Sequence, residues 1–297
     1  MKVAWLTDIH LNFLGSQEEG LQARKAFLES VSSQGDAVLL TGDIGESDSI
    51  LTLLEEMEQT WKKPILFVLG NHDFYRSSVD EVRRKVAEAT SRSPRLRYLT
   101  AQEVVELTPR TAVVGHDGWP DGREGDLIHS TVLVSDLIMV RELSRWCELR
   151  KNGMFFIDKF GVADTLAELS EDAAKHFENV LSAAADSYPE VLLLTHVPPF
   201  REAAWYRGRV SDNHYLPYFA SRVAGETIRK VMSKYPKTRL LVLCGHTHGS
   251  GRLKVSENIE VWTGGARYGQ PQVQCLLELP NWKATFLNAS ETATRTV

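Results

Sequence analysis

Seven side chains able to hold a cation sit just past short apolar runs that are far apart in this 297-residue chain. Asp8 and His10 follow the run at 3–7, and Asp43 follows Gly42 behind 38–41. Gly70-Asn71-His72-Asp73 follows 65–69, His196 follows 192–195, and Gly245-His246-Thr247-His248 follows 240–244. Carboxylate, amide oxygen and imidazole are donors for divalent ions such as Mn, Fe or Zn, and the absence of a thiolate argues against a structural zinc site. In extended geometry Asp8 and His10 share one side of the chain, and so do His246 and His248 with Thr247 turned away. Gly42 lets the backbone turn tightly before Asp43.

Taken singly, none of these decides anything. Asp-x-His is commonly loop polarity or capping, and a histidine at a strand end is more often a hydrogen-bonded structural residue. Their joint occurrence is what carries weight, because five strand ends deliver these groups to one edge. Open α/β sheets bind ligands outside the carboxyl ends of their strands.

In this order, Asp-x-His, Gly-Asp, Gly-Asn-His-Asp, His and Gly-His-x-His resemble the motif series of the calcineurin-like metallophosphoesterases, from Asp8 through His248. The resemblance implies that Asp8, His10 and His248 bind one divalent ion, that Asn71, His196 and His246 bind another, and that Asp43 bridges them. It also implies an α/β fold, a four-layer α/β/β/α sandwich of two mixed β-sheets. Two ions about 3.5 to 4 Å apart lower the pKa of a shared water. The resulting hydroxide attacks a phosphate mono- or diester in line with the departing oxygen. His72 is the expected proton donor to that oxygen, with Asp73 accepting its other ring N–H, a pairing the resemblance also implies. The plainer reading of His72 is a buttress of the turn.

The elements that must position these residues follow from apolar patterning. Runs at 3–7, 37–41 and 65–69 alternate with helical patterns at 18–33, 47–61 and 79–90, which is β-α-β grammar. Strand-like runs at 104–107 and 111–114 lead into a loop at 115–123, and a mostly helical section extends to about 187. Further strands are expected at 191–195, 240–244, 252–255, 260–263, 273–279 and 284–287. Without a Pro/Gly/Ser-rich linker, residues 1–297 read as one domain with insertions at approximately 116–187 and 198–224.

The second insertion lacks periodicity and reads as a long loop over the strand ends. Arg201, Arg207 and Arg209, with Trp205, Tyr206, Asn213 and His214, follow His196 closely enough to overhang the site and bind substrate. Arginine suits phosphate geometry. Trp119, Arg123, Arg267 and Tyr268 are secondary rim candidates, and His116, His129 and His176 read as structural.

Charge narrows the partners. The formal net charge is -5, with ten acidic and two basic residues over 17–60 against three acidic and nine basic over 197–240. That balance disfavours long duplex DNA and leaves nucleotides or short single strands open. A nuclease or a cyclic-nucleotide phosphodiesterase would use the same metal core. A noncatalytic scaffold is the reading from another class, and it would be expected to have lost ligands; here every position is filled.

No apolar run approaches the roughly 20 residues of a membrane span, and the first residues turn polar too soon for a signal peptide. Three widely spaced cysteines, Cys147, Cys244 and Cys275, fit reduced thiols. The expectation is a soluble cytoplasmic protein of undetermined oligomeric state.

Overall fold

Central strands buried on both faces set the architecture. The computed structural model describes residues 1–149, 155–286 and 293–296. Its first half runs β1 (Lys2–Leu6), α1 (Glu18–Ser32), β2 (Ala37–Thr41), α2 (Ile50–Trp61), β3 (Ile65–Val68), α3 (Val79–Ser91) and β4 (Leu96–Tyr98). The four strands are parallel neighbours. Ala4, Leu6, Val38, Leu40, Ile65 and Phe67 point to one face and pack with Leu28, Leu54, Met57 and Val82 of the helices. Val3, Trp5, Leu39, Leu66 and Val68 point to the other face and meet a second sheet.

β5 (Val105–Thr108) and β6 (Thr111–Gly115) begin that second sheet. Then come α4 (Asp136–Met139), α5 (Arg141–Ser144), the paired strands β7 (Cys147–Leu149) and β8 (Phe155–Ile157), and the long α6 (Lys159–Ser187), capped by the Asp158 carboxylate. β9 (Glu190–Leu194) returns to the sheet. The hairpin β10 (Trp205–Tyr206) and β11 (Arg209–Val210), α7 (Leu216–Phe219) and α8 (Arg222–Met232) precede β12 (Arg239–Cys244), β13 (Gly251–Ser256) and β14 (Ile259–Thr263). β15 (Val273–Glu278) and β16 (Lys283–Phe286) cross to the first sheet, and β17 (Ala293–Thr296) joins the second.

The sheets run β16-β15-β1-β2-β3-β4 and β17-β13-β14-β12-β9-β6-β5. Both are mixed, because β15 lies antiparallel to β1 and β13 antiparallel to β14. Leu192, Leu194, Leu241 and Leu243 face the first sheet, whereas Leu193, Leu240 and Val242 face Phe177, Leu181, Ile228 and Val231 of α6 and α8. The expected α/β/β/α sandwich is therefore observed. Each buried Leu or Phe in these layers contributes roughly 1.5–3 kcal/mol by leaving water.

Two local expectations need correction. Residues 198–224 are not one long loop: β10, β11 and α7 form within them, and α8 starts at Arg222, where the Ser221 hydroxyl accepts the Ala224 N–H. The section after the first insertion's loop carries the β7/β8 pair, with residues 150–154 outside the described set. The last expected strand is found over Lys283–Phe286, Leu287 lying outside the described residues. Among the described residues no helix is long and apolar enough to cross a membrane.

Candidate metal centre

The strands stop before the candidate ligands do. β1 ends at Leu6 and β12 at Cys244, so the pairs Asp8/His10 and His246/His248 are not extended, as their two-residue spacing suggested. They are brought together by left-handed backbone instead: φ is 48° at Asp8, 40° at His10, 52° at Asp43, 71° at His246 and 57° at His248. Such conformations cost of order 1 kcal/mol or more each and persist where the surroundings fix them. Here the fixing is visible. Asp8 N–H donates to the Gly42 carbonyl at 3.0 Å, His10 N–H to the Asp43 carbonyl at 2.9 Å, and Gly245 N–H to the His196 carbonyl at 2.9 Å. Gly42, at φ 89°, makes the tight turn its sequence position suggested.

Asp8, His10, Asp43 and His248 present one donor atom each, all within 4.8 Å of one another. His10 Nε2 and His248 Nε2 face each other at 3.1 Å, His10 Nε2 lies 3.5 Å from Asp43 Oδ2, and His248 Nε2 lies 3.4 Å from Asp8 Oδ1. On the other side of Asp43, His196 Nε2 is 3.4 Å from its Oδ1. Asn71 Oδ1 lies 2.9 Å from both His196 Nε2 and His246 Nδ1. The far ring nitrogens are occupied by carbonyls, His196 Nδ1 by Thr41 at 2.8 Å and His246 Nε2 by Tyr218 at 2.8 Å.

Electrostatics in this pocket are those of crowded, dehydrated groups. Burial pulls the His196 imidazole down, but the charge and hydrogen bond of Asp43 outweigh it and push it up to about 10. Burial holds His10 down at about 4 against the attraction of Asp43. Burial pushes the carboxyls of Asp8 and Asp43 up, yet the surrounding imidazoles bring both below their ordinary value. His246 is lowered by burial and by the charge of His196.

These residues fit a pair of divalent cations. The two facing imidazole nitrogens compete for one proton, His10 Nδ1 is buried without a partner, and oxygen and imidazole donors converge around Asp43. Cations would be held by carboxylate oxygens and ring nitrogens that now lie 3.4 to 3.5 Å apart.

Asp73 does not orient His72. Its buried carboxylate accepts N–H bonds from Ile44 at 2.9 Å and from Gly45 and Gly70 at 2.8 Å, while His72 Nδ1 has no hydrogen-bond partner. The 3₁₀ turn Asn71–Phe74 directs adjacent side chains to different places, so sequence neighbours are not spatial partners here. His72 is held instead by its N–H bond to Asp43 Oδ1 at 2.9 Å and by the Tyr75 ring 4.2 Å away. Its Nε2 lies 3.5 Å from the Tyr268 hydroxyl.

Two contributors lie outside the motifs. Asp136 binds the Asn71 amide, and Tyr268 packs against His10 and His248 with ring centroids 4.6 and 4.9 Å away, stacked on Phe13 at 4.4 Å. Asp136 has no periodic or motif signal. Tyr268 entered the sequence reading only as a rim candidate.

Of the expected substrate-binding residues, only Tyr206 lines the cleft over the centre, together with Phe219, Leu133 and Tyr268. Arg201 is drawn away to Glu124, 3.5 Å distant, and to Asn213. Arg207 covers the Tyr206 ring at 5.1 Å, Arg209 is exposed on β11, and His214 is exposed with its carbonyl accepting Ser130. Trp205 is buried. Trp119 is buried against Phe74, so it forms no rim, and Arg123 pairs with Glu171. His116 and His176 are packed together away from the centre, and His129 pairs with Asp126.

No curated protein sequence matches the chain significantly. Its fold is shared by solved structures, two of which align over nearly the whole chain. Phosphopantetheinyl hydrolase from Mycobacterium tuberculosis aligns with a TM-score of 0.62 at 12% identity, covering 90% of each chain. A dimetal phosphatase from Danio rerio aligns at 0.59 and 16% identity, covering 95% of this chain and 93% of that one. The sequence profile of the calcineurin-like phosphoesterases matches residues 1–250, and with the motif order and the two-sheet fold around them this chain belongs to that family.

Proposed function

We propose that the chain hydrolyses a phosphate mono- or diester at a pair of divalent cations, Mn, Fe or Zn. Asp8, His10 and His248 would hold one cation and Asn71, His196 and His246 the other, with Asp43 placed to serve both. The observation that carries this reading is the gathering of the other six side chains around Asp43 from the ends of five strands in two sheets. When bound, such a pair supplies a hydroxide near neutral pH and neutralises charge on the phosphoryl oxygens.

The protein's own groups do the rest. Thr41 and Tyr218 carbonyls hold a proton on the outer nitrogens of His196 and His246, leaving the inner nitrogens as donors to the cation. His72 presents Nε2 to the cleft and hands its proton to the departing oxygen. Asp73 braces the loops beneath. A cytoplasmic setting is part of the same reading, supported by the free thiols of Cys147, Cys244 and Cys275.

The test is reconstitution with manganese, followed by turnover of p-nitrophenyl phosphate, its bis-ester and a cyclic nucleotide. Wild type should turn over at least one ester, and Asp43→Asn should lose both bound metal and activity. A protein loaded at both sites yet inert across the panel would sink the reading and favour a scaffold.

A further inference from the structure

Two cavities meet at His248. The larger, about 300 Å³, opens over Asp43, Asn71, His246 and His72; Tyr206, Phe219, Leu133 and Tyr268 wall it, and no lysine or arginine lines it. The smaller, about 250 Å³, shares only His248 with the first and is lined by Ser250, Arg267, Gln270 and Gln272. The smaller one is built into the fold. Ala266 N–H donates to the His248 carbonyl at 3.2 Å, and the Gly265 carbonyl accepts the side-chain amides of Gln272 at 3.1 Å and Gln274 at 2.8 Å. Arg267 makes no ion pair among the described residues, in contrast to Arg201 and Arg222, which Glu124 engages.

The chemistry of the two spaces differs. An aromatic and aliphatic cleft without cationic side chains suits a planar or apolar group. A guanidinium flanked by hydroxyl and amide groups suits a carboxylate or phosphate. A monoester has one organic group, which the cleft alone can hold. A diester projects two from phosphorus, and the two cavities share only His248 in their linings.

Building on the hydrolysis proposed above, we infer that the substrate is a phosphodiester. Its leaving arm occupies the aromatic cleft beside His72, and its retained arm runs past His248 to place a second anionic group against Arg267. Water gives its oxygen to phosphorus and releases one proton to solvent, the P–O bond to the leaving arm breaks, and that arm departs as an alcohol carrying a proton from His72, which solvent restores. The retained arm leaves as a monoester.

The test uses the metal-loaded full chain and a matched pair, thymidine 5′-(p-nitrophenyl phosphate) with and without a 3′-phosphate. In wild type the 3′-phosphate should lower KM about three- to tenfold, as one partly solvated charge-assisted contact would. In Arg267→Met the two KM values should converge, and p-nitrophenyl phosphate should be a slower wild-type substrate than either diester. A monoester turned over faster than the diesters, or a 3′-phosphate advantage that survives in the variant, overturns the inference. Calorimetry with thymidine 3′,5′-bisphosphate against thymidine 5′-monophosphate reads the cavity without turnover. Preference for the bisphosphate in wild type, lost in Arg267→Met, supports the cavity even if the protein proves inert, which would count only against the catalytic reading. Equal affinities overturn it.

Discussion

Asp136 Oδ1 stands 2.7 Å from Nδ2 of Asn71, and this contact turns the amide so that its oxygen faces His196 and His246. Tyr75 closes the triangle, donating its hydroxyl to the same carboxylate oxygen at 2.8 Å and accepting from Asn71 at 3.2 Å. A flipped amide would point N–H groups at a cation. Asp136→Ala should therefore weaken the cation on the Asn71 side by about 10- to 100-fold, the usual scale for groups that orient a ligand. Metal titration should find the Asp8 side much less affected, and equal weakening at both would contradict this role.

His72 and Asp73 should fail in different ways when replaced. Asp73→Ala leaves the buried N–H groups of Ile44, Gly45 and Gly70 without their acceptor, a loss on the order of 3 kcal/mol in urea denaturation. His72→Asn should keep both metals and the stability, while kcat falls about a hundredfold for esters with poor leaving groups and far less for p-nitrophenyl esters. Equal losses on both kinds of ester would remove His72 as the proton donor.

Acid should loosen the fold through His176. Burial and the neighbouring His116 hold its imidazole down at about 4, against 6.5 in the unfolded chain. As pH falls from 6.5 toward 4 the unfolded state takes up a proton that the folded state refuses, so stability is full above this window and declines through it. His176→Asn should decline less steeply than wild type when urea midpoints are compared across that range. A variant that loses stability as steeply as wild type would show that the imidazole is not responsible.

Gly245 is constrained by its neighbours more than by its own backbone. A Cβ there would collide with the Asp8 carboxylate and the Thr7 hydroxyl. Gly245→Ala should displace Asp8 and abolish binding of the cation it shares with His10 and His248, with the far-ultraviolet circular dichroism unchanged. Retention of two metals per chain by elemental analysis would show that the loop yields without harm.

What the sequence discloses of this site is what the backbone does at strand ends. Asp8, Asp43, Asn71, His196 and His246 each follow an apolar run, and a parallel sheet delivers such positions to one edge whatever lies between. The alternation of strands and helices in the first half was legible in the same way, whereas the layer count came from the family resemblance; the structure then buries neighbours such as Trp5 and Leu6 on opposite faces. Contacts set by tertiary folding were not. Arg201 looks like a phosphate ligand until the chain brings Glu124 to it, 77 residues away in number. The adjacency of His72 and Asp73 suggested a bond that the tight turn between them prevents. Asp136 lies in a stretch without periodicity, and only its arrival at Asn71 gives it a role.

The proposed ligands are drawn from both halves of the sandwich: Asp8, His10, Asp43 and Asn71 extend from the first sheet, His196, His246 and His248 from the second. Bound cations would thus act as rivets through the seam between them. Chelation would then be felt along the whole joint, where Trp5, Leu39, Leu194 and Leu243 interlock, rather than in one frayed loop.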